Sequence, residues 1–337
     1  MGIKISAIEY YLPVNERTNA DLERLRPEWD IEKVTTKTGV EKRHIASNGE
    51  TALDLAIEAT EQLFRTNSIQ KDEIDGILFC TQSPDFIMPS NAFLIHERFG
   101  FSEDTWAFDF NLACSGYVYG MSIARGFIES GMSKNIMLIT SDTYSKHISQ
   151  KDRSTVSLFG DGAAVTIISE DSSNQSEIIS TKLSSSGKDY KSFFIPSGGC
   201  RLPKSEFTDS ESEDRSGNIR SLENIHMNGF AVWKFISKKV PKQIKEILLE
   251  NELGIEDIDF WAFHQASKLT LQSLSSALNL PEEKLYSNLV NIGNTVSSSI
   301  PILLKDAFDE RRLKRGDLVI ISGFGVGLSW GTMLLKY

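Results

Sequence analysis

The chain has 337 residues, 40% apolar and 24% charged, with 36 Lys and Arg against 46 Asp and Glu for a net charge of −10. These are ordinary globular values, and they exclude a disordered, collagenous or disulfide-scaffold protein. An acidic chain without a basic block argues against nucleic-acid binding, and no apolar run reaches the ~20 residues a membrane helix needs.

Taken in chain order, β-rich runs alternate with helical patterns throughout. The opening MGIKISAIEYYLP lacks the h-region of a secretory signal, and residues 3–11 read as a strand. A helix over 51–64, a strand over 76–82 and a helix over 91–98 follow. Next come a strand over 106–112, a helix over 114–130, and strands over 135–141 and 163–169. The second half repeats the order. It has a strand over 176–183, a helix over 228–250 that Pro241 should bend or break, and a strand over 260–265. Helices over 269–278 and 299–311 lead to strands over 318–322 and 328–335. GILFCTQSP (76–84) and DFWAFHQAS (259–267) look like corresponding positions of one duplicated α/β unit, with halves at 1–172 and 173–337. A polar tract over 204–224 reads as a solvated surface loop, or as a mobile cover near an entrance.

Three cysteines, Cys80, Cys114 and Cys200, form no C-x-x-C and read as reduced thiols of a cytoplasmic protein. The five histidines have no metal-ligand spacing, so no metal is expected. Cys114, in FNLACSGYVYG, stands where a strand gives way to a helix. The positive end of that helix should lower its thiol pKa. A lone cysteine is otherwise a small buried apolar residue, and Cys80 and Cys200 keep that interpretation. His264 ends the apolar run DFWAFHQ, where an α/β sheet presents ligand-contacting groups. Asn294, in NIGNTVSSSIP, sits in a turn before a helix, and its amide can donate to an oxyanion. GFGVGLSWG (323–331) fails as a phosphate loop because a strand, not a helix, follows. It reads as a turn whose glycines let a backbone N–H approach a reacting oxygen.

Together these features resemble the thiolase superfamily, most closely the β-ketoacyl-acyl carrier protein synthase III family. The resemblance spans the chain: YLPVNERTNADLE, TKTGVEKRHIA, MPSNAFLIHERFG, NLACSG, LFGDGAA, AFHQAS, NIGNTVSSSIP and GFGVGLSWGTMLLKY. It implies a five-layered αβαβα fold, a homodimer, no cofactor, and an acyl carrier protein or acyl-coenzyme A with a malonyl thioester as partners. By the same resemblance Cys114 is the acyl-carrying nucleophile, and His264 and Asn294 assist decarboxylation. The backbone N–H groups of Cys114 and Val326 form the oxyanion site.

This sequence departs from the family in places and reads as a divergent member. Ser267 replaces the Asn of HQAN, and Val326 replaces the middle Gly of a triplet. Lys33 stands where coenzyme A users place a Trp, and Phe230 where an Asn is common, while Arg153 matches an Arg near the nucleotide. Met88 aligns with a segment that enters the partner's acyl pocket. Lys234, with Lys238, Lys242 and Lys245, recurs at near-helical spacing suited to an acidic carrier protein. Two other functions fit the residues: acyl transfer to a hydroxyl, amine or thiol without decarboxylation, and a non-catalytic partner of an active homologue.

Overall fold

In the computed structural model, which describes residues 2–172, 177–281 and 284–337, the expected strands assemble into two main sheets. The first contains β1 (Gly2–Tyr11), β2 (Gly76–Cys80), β3 (Trp106–Phe110), β4 (Asn135–Asp142) and β5 (Gly162–Asp171), in the order β1-β5-β4-β2-β3. The second contains β6 (Glu177–Ser185), β7 (Phe260–Phe263), β8 (Leu318–Gly325) and β9 (Ser329–Lys336), in the order β7-β8-β9-β6. Ser176, expected to begin β6, lies outside the described residues.

The two sheets share one plan. In the first, β4 pairs parallel with β2 and antiparallel with β5, which pairs antiparallel with β1. In the second, β8 pairs parallel with β7 and antiparallel with β9, which pairs antiparallel with β6. So GILFC and FWAF, the two segments that look alike in the sequence, occupy equivalent places. The first sheet adds β3 at its edge, paired parallel with β2. The boundary at 172/173 falls between β5 and β6.

Helices fill three layers around these sheets. They are α1 (Ala52–Thr66), α2 (Asn91–Phe99), α3 (Gly116–Glu129), α4 (Gly229–Glu250), α5 (Lys268–Leu278) and α6 (Ser299–Asp309). Period-two alternation divides each strand between two cores. Ile136 and Leu138 of β4 pack with α3 and α6, which also meet Phe260, Ala262, Val319 and Ile321 of the second sheet. Met137 and Ile139 pack on the other side with Leu55 and Leu63 of α1 and Ile95 of α2. Trp261, Phe263 and Ile320 face outward onto Ile236, Val240 and Ile244 of α4 and Leu271 and Leu274 of α5. The layers are therefore αβαβα, with α3 and α6 in the middle.

Several expectations are corrected. Pro241 does not break α4, which runs through it as one helix of 22 residues. An interior Pro costs about 3 kcal/mol. Burial of Ile236, Val240, Ile244 and Ile247 against the second sheet offsets it. The tract over 204–224 is exposed over 204–207 and 209–217, as a solvated loop should be, but it is tied down at a few points. Thr208 and Arg220 are buried, and Arg220 pairs with Asp152 at 3.4 Å and with Asp214. Residues 13–47, to which the sequence reading assigned no elements, form helices Asn19–Leu25 and Ile31–Thr38 and the strand pair Glu16–Thr18 and Lys42–His44. Thr18 and Asp21 make a capping box there. No helix among the described residues is long and apolar enough to cross a membrane.

Candidate active site

Cys114, His264 and Val326 each follow the C-terminal end of a strand, β3, β7 and β8 respectively, and Asn294 precedes α6. Open α/β sheets place their sites at such ends. Cys114 and Ser115 form the turn before α3, whose first residue is Gly116. Gly325 lies directly against the thiol: a Cβ there would sit 2.9 Å from both the Cβ and Sγ of Cys114. Only glycine allows that approach, and Val326 is the next residue in the chain.

His264 and Asn294 are both buried and adjacent, with Asn294 Nδ2 3.4 Å from His264 Nε2. The amide orientation is fixed, because Asn294 Oδ1 accepts from the Val296 N–H at 2.9 Å. The NH₂ end therefore turns toward His264 and the Ala266 carbonyl, 3.4 Å away. His264 Nδ1 lies 2.6 Å from Ser299 Oγ. With that hydroxyl donating to Nδ1, the imidazole proton resides on Nε2, beside the Asn294 amide. Burial lowers the His264 pKa to about 3, so the ring is neutral. Its face is closed by Phe324, edge-on at 5.5 Å.

Three consecutive serines anchor this corner. Ser297 Oγ donates to Asp142 Oδ2 at 2.7 Å, Ser298 Oγ donates to the Thr140 and Gly162 carbonyls, and Ser299 holds His264. Of the two residues between them and Asn294, buried Val296 has φ +54, a strained conformation for a β-branched side chain. Sequence reasoning took Ser299 only as the start of a helix and gave Ser297 and Ser298 no role. Asp142, also missed, is fully buried at the end of β4. Burial raises its pKa to about 7 against the hydrogen bonds from Ser297 and Gln82.

The thiol behaves differently from the sequence expectation. Burial, and then the Asp142 carboxyl, push Cys114 well up. The backbone N–H that opposes them is outweighed. Cys80, whose thiol meets the Leu112 carbonyl at 3.1 Å, is raised for the same reasons, and Cys200 is exposed.

A cavity of about 1050 Å³ opens at the surface. Lys33, Arg153, Phe230 and Ser267 all line it, as do Lys37, Arg215 and Arg220. Leu158 and Ser267 are both in its lining. Cys114, His264 and Asn294 are not in its lining, but the carbonyl of Leu158, which is, accepts from the Asn294 N–H at 3.0 Å. Phe230 is exposed at its mouth, tilted 31° to Trp233 at 6.1 Å. Ser267 caps α5 by accepting from the Thr270 N–H, a task Ser performs as well as Asn. Lys234, Lys238, Lys242 and Lys245 are exposed on α4. Met88 is 79% exposed in the single chain, away from Cys114. No group of three or more acidic, His or Cys side chains among the described residues could hold a metal.

Two family models match the chain. One is 3-Oxoacyl-[acyl-carrier-protein (ACP)] synthase III, over residues 108–187, and the other is its C-terminal model, over residues 248–337. A beta-ketoacyl-[acyl-carrier-protein] synthase III of Aliarcobacter butzleri is 36% identical over 98% of this chain and 96% of its own length. One of Caldanaerobacter subterraneus is 35% identical, over 97% and 95%. A crystal structure of a 3-oxoacyl-(acyl-carrier-protein) synthase III superposes with a TM-score of 0.97 at 36% identity, covering 100% of both chains. The Aquifex aeolicus enzyme gives 0.85 at 33%, again over 100% of both.

Proposed function

The chain belongs to the β-ketoacyl-acyl carrier protein synthase III family, and from that membership we propose how its own residues perform the reaction. It is an acyltransferase that joins an acyl thioester to a malonyl thioester by decarboxylating Claisen condensation, in fatty-acid or related lipid assembly.

Cys114 Sγ attacks the acyl carbonyl, a new thioester forms, and the donor's C–S bond breaks. The donor thiol leaves with the proton that Cys114 gives up. The backbone N–H groups of Cys114 and Val326 hold the oxyanion during that exchange. The malonyl carbonyl oxygen then accepts from His264 Nε2–H and Asn294 Nδ2–H. As the C–CO₂ bond breaks, its electron pair becomes an enolate, whose carbon attacks the acyl-Cys114 carbonyl. The tetrahedral adduct collapses, the C–S bond to Cys114 breaks as the β-ketoacyl product departs, and the Cys114 thiolate takes up a proton from solvent.

The observation that carries this reading is the donor pair. Asn294 Nδ2, on an amide of fixed orientation, lies 3.4 Å from His264 Nε2 on a neutral ring; with the ring proton on Nε2, the two N–H groups suit a single oxygen at about 2.9 Å from each. Plain acyl transfer has no use for such a pair, and a non-catalytic partner has no use for the complete trio. Release of CO₂ from a malonyl carrier protein tests it. Condensation gives CO₂ and a β-ketoacyl product when an acyl donor is present. Acyl transfer without CO₂ selects the second function, and no turnover selects the third.

The cations around the large cavity suit a phosphate-bearing pantetheine arm. Lys33 offers no flat face for adenine, and the lysines of α4 lie on one unbroken helix. Both features favour an acidic carrier protein over free coenzyme A. The unpaired edge of β3, whose Trp106 stacks on Phe127 at 4.4 Å, and the exposed Phe86, Ile87 and Met88 support a homodimer. Three free cysteines support a cytoplasmic setting.

A further inference from the structure

Behind the turn at Val326 and Gly327 lies a second cavity, of about 320 Å³. Val326 in its lining directly follows Gly325, whose Cβ position lies 2.9 Å from Cys114 Sγ, so this cavity adjoins the strand end that holds the thiol. Phe193, Ile195, Ile225 and the Tyr144 ring give it apolar walls. One wall is polar. Tyr144 Oη donates to Gln82 Oε1 at 2.5 Å, and Gln82 Nε2 donates to Asn111 Oδ1 at 2.8 Å; all three residues line the cavity. These bonds fix both amides. They leave one hydrogen on Gln82 Nε2 and both on Asn111 Nδ2 with no protein acceptor among the described residues.

His147 also lines the cavity, and burial, then Lys204 and Lys146, lower its pKa. Neutral imidazole offers one donor and one acceptor. No Lys, Arg, Asp or Glu lines this cavity. A purely aliphatic acyl chain would cover these amide and imidazole groups without bonding them, which is unfavourable. A carboxylate or ammonium would enter without a counter-charge.

We propose that the acyl group taken up by Cys114 carries a neutral oxygen substituent, a hydroxyl or keto group, which hydrogen-bonds to Gln82, Asn111 and His147. The proposal rests on Cys114 being the acyl carrier. It gives the cavity a substrate class: hydroxy- or oxoacyl thioesters with an otherwise apolar body.

The test is competitive acylation of the intact protein by butanoyl, 3-hydroxybutanoyl and succinyl groups on the same carrier, read by intact mass and peptide mapping. The parent should take 3-hydroxybutanoyl about tenfold or more faster than butanoyl, and succinyl slowest of the three. Gln82→Met and Asn111→Leu should each bring the hydroxyl preference toward one. Asn111 is exposed, so that second variant keeps the test usable should Gln82→Met misfold. Butanoyl on Cys114 at equal or greater rate than 3-hydroxybutanoyl in the parent overturns the proposal and leaves the nucleophile standing. So does a hydroxyl preference that both variants retain. No adduct on Cys114 with any donor overturns both.

Discussion

Replacing Ser299 with Ala removes the hydroxyl that meets His264 Nδ1 at 2.6 Å. Both groups are buried, so the ring nitrogen is left without that partner. A lost buried bond of this kind costs about 1–3 kcal/mol. Here the loss falls on function, because nothing then holds the imidazole proton on Nε2. The alternative tautomer presents a lone pair where the enolate oxygen needs a donor. At about 1.4 kcal/mol per tenfold, decarboxylation should fall by about 5- to 150-fold. Acylation of Cys114, which does not use that donor, should change by less than about threefold. CO₂ release from malonyl carrier protein measures the first step, and intact mass after exposure to an acyl donor measures the second. Ser299→Thr retains the hydroxyl and should recover most of the decarboxylation rate. Equal losses in both half-reactions, or a Thr variant no better than Ala, would refute the positioning role.

Three further outcomes are expected. Because burial pushes the Cys114 thiol up and leaves His264 neutral down to about pH 3, acylation should keep rising from pH 6 to 9 while decarboxylation stays flat down to pH 5. An acylation plateau below pH 8 in stopped-flow assays would contradict this. Asp142 has a folded pKa raised from 3.8 to about 7, so the native state binds the extra proton between those values and loses stability as pH rises through them. Relative to Asp142→Asn, the parent should therefore lose up to about 4 kcal/mol between pH 4 and 7, and parallel urea-unfolding profiles would rule it out. A Cβ on Gly116 would lie 2.3 Å from Cys80 Sγ, so Gly116→Ala should destabilise by about 1–3 kcal/mol. Cys80→Ala in the same chain should recover part of that loss, and additive effects in the double-mutant cycle would deny the contact.

Much of the fold is legible because its strands are buried on both faces. GILFC and FWAF read as continuous apolar runs, and their equivalence in the two sheets follows from similar composition and similar neighbours. Cys114, His264 and Asn294 were each visible at the end of an element. Their environment was not. A helix start at Cys114 could be read from sequence, within two residues of the observed start at Gly116, but the burial that overrides its effect on the thiol depends on Gly325, more than 200 residues away. Ser299 meets a histidine 35 positions earlier, which no local pattern records. Pro241 signals a break by its chemistry, yet the sheet beneath α4 decides otherwise. The polar tract owes its order to Arg220 reaching Asp152, a pairing that composition hides.

The central claim is that Cys114 carries the acyl group which the enolate then attacks. Its most direct measurement is the intact mass of the protein in two stages, first with an acyl donor alone and then after addition of malonyl carrier protein. The account predicts one added acyl mass that maps to Cys114 and is absent in Cys114→Ser. On addition of malonyl carrier protein it disappears, with one CO₂ and one β-ketoacyl thioester formed per adduct lost. An acyl mass that maps elsewhere, or β-ketoacyl product formed at the parent rate by Cys114→Ser, would contradict it.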